Sequence, residues 1–258
     1  MTLHNAYARQ RITHGRNDVD PGDPRAVEFV QEAEIGDGWL HPHSSNYTFV
    51  VELALGDKAG FGVYKPASGE TPLWDFPVGT LHARECAAFE MSRLLAWPIV
   101  PPTVVREGEA GSGSLQLYVP SPPDSNFFTL RGDHRNEFLR MAVFDVIANN
   151  ADRKGGHCFT GPNGDVWAVD HGLAFHVEHK LRTVIWDYAG ERIPEDLLED
   201  IRCLVEQLTD DSSDASVTLG GLLDAREVAA LSARMCWLLE GPILPSIHSR
   251  RDLPWPWL

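Results

Sequence analysis

Nowhere in this chain do apolar residues run on long enough to cross a bilayer, and it does not open on the basic-then-apolar pattern of a signal peptide. The expectation is a cytoplasmic protein with no stable membrane anchor. Cysteine is scarce: Cys86, Cys158, Cys203 and Cys236 are far apart, with no C-x-x-C pair. That spacing argues against a zinc site or a disulfide framework and leaves four buried thiols as the expectation. Positive charge is short too, 22 Lys and Arg against 37 Asp and Glu, for a formal net charge of −15. Such a surface repels nucleic-acid phosphates and anionic lipid, so neither is an expected partner.

What is present suits a folded α+β protein. With 258 residues, 43% of them hydrophobic, the chain can bury a core as one two-lobed domain or two small ones. Residues 1–23 are polar and aperiodic and read as a flexible tail. Asp23 as N-cap and Pro24 predict a short helix to about Gln31, followed by a strand over 32–40. SSNYTFVVELAL and GFGVYKP, divided by Gly56 and Asp57, read as an antiparallel strand pair. Lys65 lies at the end of the second run, where Pro66 stops the ladder. Thr80 then caps a predicted helix, LHARECAAFEMSRLL, with Glu85 in its first half. IVPPTVVRE and GSLQLYVP supply two more strands, completing an expected antiparallel-sheet N-lobe over 24–119 with one main helix.

PSPPDS opens a linker over 120–126. An α-rich C-lobe is expected over 127–241, beginning with an amphipathic helix on which Leu139, Ala142, Val143, Val146 and Ile147 recur at helical spacing. Helices at about 195–208 and 224–239, with a solvated DDSSD loop at 210–214, complete it. The proline-rich tail 242–258 carries Trp255 and Trp257, which are costly to leave in water, so the tail is expected to pack on the body.

The richest stretch is Asn149 to Phe175, NNADRKGGHCFTGPNGDVWAVDHGLAF. HCFT and DVWAV alternate like strands and GPNG supplies a reversal, so the segment predicts a β-hairpin. A hairpin returns the chain to its start, placing Asp152 and Asp170 at the same end. Two carboxylates so placed can share a metal-bound phosphate.

In sequence order, VYKP, RECAAF, IVPPTVV, GSLQLYV, NNADRKGGH and AVDHGLAF resemble motifs of the phosphatidylinositol 3- and 4-kinase superfamily. The likeness is strongest to the type II phosphatidylinositol 4-kinases and more distant to HipA-type kinases, and it spans about Phe61 to Phe175. The resemblance implies a two-lobed, atypical kinase-like fold that uses ATP with magnesium or manganese. It implies that Lys65 holds the α- and β-phosphates, that Glu85 pairs with Lys65, and that the backbone of Leu117 or Val119 meets adenine. Asp152 would be the base or orienter of the attacking hydroxyl, with Arg153 beside it among the catalytic groups, and Asp170 the principal metal ligand. In the turn before the first strand run, Ser44 and Ser45 are candidates to cover a phosphate.

Two departures from the family bear on chemistry. Its members commonly place a metal-binding asparagine where this chain has His157, and an imidazole suits manganese better than magnesium. The cysteine-rich membrane-anchoring insertion of type II lipid kinases is absent, which together with the acidic charge disfavours a lipid substrate. His176, His179, Lys180 and Arg182 form a basic cluster near the expected acceptor. The expected activity is therefore phosphoryl transfer to a hydroxyl of a soluble protein or small molecule. A nucleotide-binding regulatory module and an AMP transferase on the same fold are the alternatives.

Overall fold

The computed structural model describes residues 17–41 and 46–258, so the first sixteen residues of the expected tail, and Ser44 and Ser45, lie outside the described residues. The chain divides into two compact units. The first comprises its described residues up to Cys86 together with Pro101–Val119; the second comprises Ala87–Val100 and Pro120–Leu258.

The first unit is built on a five-stranded antiparallel sheet of order β1-β2-β3-β5-β4. Its strands are β1 Glu34–Leu40, β2 Phe49–Leu55, β3 Lys58–Pro66, β4 Thr103–Gly108 and β5 Gly111–Leu117. Helix α1, Ala26–Glu32, covers one face, where its Phe29 and Val30 pack with Val51, Leu53, Tyr64, Leu115 and Leu117. It starts two residues later than Pro24, because the Asp23 side chain and carbonyl take the N–H groups of Arg25 and Ala26, both at 2.8 Å, in a turn ahead of the helix. Arg106 closes its other end by donating to the carbonyls of Val30 at 2.7 Å and Ala33 at 3.0 Å. Side chains alternate across a strand, so with Tyr64 in this core, Lys65 is turned to the opposite face. Helix α2, Leu81–Leu94, follows, and the division between the units falls within it.

The second unit is mainly helical: α3 Phe127–Leu130, α4 Arg135–Ala148, α5 Glu195–Gln207, α6 Asp214–Gly220 and α7 Ala225–Glu240. A small hairpin, β6 Cys158–Thr160 paired with β7 Val166–Ala168, stands between α4 and α5 in the sequence. The predicted amphipathic character of α4 is not what the structure shows. Phe138, Met141 and Phe144, off the expected stripe, are as buried as Val143 and Ile147, so α4 is enclosed on nearly all sides. The DDSSD segment is not simply a loop, because Ser213 caps α6 by accepting the Ser216 N–H at 3.0 Å.

Trp255 and Trp257 remain 84% and 52% exposed, set edge to face on each other, while the tail is fastened by buried Pro254 and by the Trp257 carbonyl, which accepts the Gly155 N–H at 2.7 Å. The expectation of four buried thiols is corrected: Cys86 and Cys158 are buried, but Cys203 is exposed and Cys236 half-buried. No helix among the described residues is long and apolar enough to cross a membrane.

Candidate functional site

In the first unit, Lys65 Nζ forms an ion pair with Glu85 Oε1 across twenty residues of sequence. The lysine side chain keeps 23% of its exposure and the glutamate 4%. A carboxylate so covered needs a cation; α2 carries the carboxylate and β3 supplies the cation. Their alignment depends on Gly113 of β5, where an added Cβ would lie 2.5 Å from the Lys65 carbonyl oxygen and 2.7 Å from Pro66 Cα. The backbone nominated for adenine is partly committed: the Leu117 N–H donates to Pro102 O at 2.8 Å and the Tyr118 N–H to Phe61 O at 2.9 Å. Leu117 and Val119 themselves are buried.

In the second unit, α4 ends at Asn149, whose left-handed φ of 53° turns the chain out of the helix. Its buried amide donates to the carbonyls of His176 and Glu178 at 2.9 and 2.7 Å and accepts the Lys180 N–H at 2.8 Å. Asn150, also buried, donates to Asp145 Oδ1 and accepts the Asp152 N–H, both at 3.0 Å. Backbone hydrogen bonds from Ala151 to Leu173, Phe175 to Ala148 and Arg182 to Asn150 join the loop before the hairpin to the segment after it. Both carboxylates therefore sit on segments fixed to each other.

Asp152 is paired with Lys154 at 2.9 Å, and its side chain is 25% exposed. Burial raises its pKa above the ordinary carboxylate value, and the Asp170 charge adds to the rise; Lys154 and Arg182 act the other way without reversing it. Asp170 has a left-handed φ of 63°, a conformation Asp tolerates better than most residues, and its side chain is half exposed. His157 Nε2 lies 3.2 Å from Asp170 Oδ2, while His157 Nδ1 accepts the Lys154 N–H at 3.4 Å. With Nδ1 as acceptor, Nε2 carries the proton and donates to Asp170.

Arg153, expected among the catalytic groups, is instead fully buried. Its Nη2 and Nε donate to Asp145 at 3.0 Å and its Nη1 to the Val169 carbonyl at 2.9 Å. Nη2 also lies 2.6 Å from His171 Nε2. Because a guanidinium only donates, His171 Nε2 is the acceptor and the ring is held as its Nδ1–H tautomer. Arg153 thus braces the residues on either side of Asp170 from within. The residue that reaches Asp152 is Lys154, which sequence reasoning passed over. In extended backbone, successive side chains alternate, so Arg153 inside implies Asp152 and Lys154 together on the other side. Asp145 was missed as well; its signal was a lone acid in the apolar run AVFDVIA.

Asp170 is the residue best disposed to hold a cation, with His157 beside it. No group of three or more His, Cys, Asp or Glu among the described residues could hold a metal ion by protein ligands alone. A metal at Asp170 would complete its shell with phosphate and water oxygens, as magnesium sites at nucleotides commonly do.

No family model matches the chain. Protein Rv2133c of Mycobacterium tuberculosis is 41% identical over 248 residues, covering 83% of this chain and 88% of that protein. Among solved structures, the Helicobacter pylori proinflammatory kinase CtkA superimposes with a TM-score of 0.49 at 10% identity, over 82% of this chain and 93% of CtkA.

Proposed function

The chain belongs to the family of the mycobacterial protein Rv2133c, and for this member we propose an ATP-dependent phosphotransferase of the phosphatidylinositol 3-/4-kinase-like type, acting on a hydroxyl of a soluble protein or small molecule. The observation that carries the reading is the part-buried Lys65–Glu85 pair. Phosphoryl transfer needs a fixed cation for the phosphates, and a lysine held by a glutamate of a packed helix is such a cation.

In this reading Lys65 binds the α- and β-phosphates and Glu85 sets its direction. Since the Leu117 N–H is taken by Pro102 O, the adenine contact falls to Val119. Asp152 accepts the proton of the acceptor hydroxyl or orients it, and a carboxyl with a raised pKa is the better proton acceptor. Lys154 keeps its charge balanced and Asn150 fixes its backbone. Asp170 holds the divalent metal, magnesium or manganese, and the bound ion supplies neutralisation of phosphate charge. His157 aims the Asp170 carboxylate through its Nε2–H, and it would join a metal shell only as the Nδ1–H tautomer, with the Nε2 lone pair turned to the ion.

ATP labelled at the α- or γ-phosphate, offered with cell extract and either metal, tests the reading. Transfer of γ-label is expected, lost in both Asp152→Asn and Asp170→Asn, with nucleotide binding retained in Asp152→Asn. Transfer of α-label would assign AMP transfer instead, and tight ATP binding with no transfer a regulatory module. His157→Asn is expected to move the metal preference from manganese towards magnesium; equal rates with both metals in both proteins would reject a role for His157 in metal choice.

A further inference from the structure

Away from Asp152 and Asp170, the second unit holds a concave cavity of about 470 Å³. That volume is in the range of small-molecule sites. Helix α7 contributes Ala230, Arg234 and Trp237 to its lining, and Leu181 and Trp186 extend the apolar surface. Neither the Lys65–Glu85 pair nor the Asp152 loop takes part in it.

Arg234 sets this cavity apart from a merely apolar hollow. Its Nε donates to Ile147 O at 2.7 Å and its Nη1 to His176 O at 3.3 Å, while Nη2 is buried with no hydrogen-bond partner. Neutral carbonyls hold the guanidinium, and no carboxylate pairs with it among the described residues. Burial without a counter-charge draws its pKa down to about 10, so it remains a cation at neutral pH. A half-buried cation with an unused, buried donor nitrogen is costly, and an anion arriving with an apolar body would relieve that cost while covering the indole surfaces. Asp252 is the acid of the lining, and its carboxylate is engaged by the N–H groups of His248 at 2.7 Å and Ser249 at 2.8 Å. One unused guanidinium nitrogen, with a carboxylate on the same lining, suits an anion of a single charge.

We propose that this cavity binds a small amphipathic monoanion, an apolar chain or ring bearing one carboxylate, with Arg234 as the anion anchor and Trp186 and Trp237 against the apolar body. The site is independent of the phosphotransfer reading and is tested by binding alone.

Calorimetric titration of the full chain with decanoate, decyl phosphate and 1-decanol supplies the test. Decanoate is expected to bind once per chain, at least tenfold more tightly than either of the others. Arg234→Gln should weaken decanoate tenfold or more and leave decanol unchanged. Ala230→Phe, which fills the cavity without touching the cation, should abolish binding of both; it carries the test should Arg234→Gln fail to fold by circular dichroism. Decanol or decyl phosphate binding as tightly as decanoate would overturn the proposal. So would decanoate binding that survives Ala230→Phe, and so would the absence of saturable decanoate binding below its self-association concentration.

Discussion

Asp152 feels opposing influences, and their balance makes two measurable statements. Burial and the Asp170 charge favour its protonated form more than Lys154 and Arg182 favour the ionised one. Its folded pKa therefore lies above its unfolded one. The stability this confers is fully present below the ordinary carboxylate range and is lost as pH rises through the raised folded value. Asp152→Asn cannot ionise, so it should lack that loss and melt about 1–2 °C higher than the native protein at pH 7 while its transfer activity falls to background. Calorimetry with an activity assay checks both halves; a lower melting temperature would mean that the pairing with Lys154 outweighs burial. A second statement concerns the thiols. Burial pushes the Cys158 thiol up to about 12, whereas Cys203 is exposed. A thiol reagent at pH 8 should label Cys203 rapidly and Cys158 only on unfolding, as read by mass spectrometry of digested protein.

At the scale of elements, β5 presses its backbone against β3 where Lys65 emerges, and Gly113 permits the approach. Gly113→Ala should force the strands apart at that point, destabilise the protein by about 1–3 kcal/mol in denaturant melts and weaken ATP binding through Lys65. Unchanged nucleotide affinity in a folded Gly113→Ala protein would separate Lys65 from nucleotide binding. The loop and hairpin of the second unit show how an element's role can exceed its length. β6 and β7 have three residues each, too few to be stable alone, and they are held by Met141 of α4 against Cys158, by Ser125 Oγ, which accepts the Thr160 N–H at 2.8 Å, and by the Ile99 carbonyl, which accepts the Ala168 N–H at 2.7 Å. Both strands and their reversal were legible because a period of two bounded by Pro, Asn and Gly is a local signal. The all-round burial of α4 was not, because a helical stripe records one face and is silent about what packs on the others.

For the whole molecule, a formal charge of −15 makes self-repulsion a general term in stability. Raising salt from 10 to about 150 mM shortens the screening length to roughly 8 Å and should raise the melting temperature by a few degrees. A melting temperature that falls with salt would show that surface ion pairs outweigh the repulsion. By itself the sequence determined the α+β composition, the positions of most strands and helices, and the pairing partners Lys65 and Glu85 as candidates, because these rest on local periodicity and on motif order. Only the tertiary structure decided which side chains meet. It turned Arg153 inward onto Asp145, Lys154 outward onto Asp152, and His157 onto Asp170. It also gathered Asp145, Arg153, His171 and Thr183 into one buried network. The reason is physical: burial, the desolvation of charge and hydrogen-bond partnership are set by residues distant in the chain, and no spacing along a single segment records them.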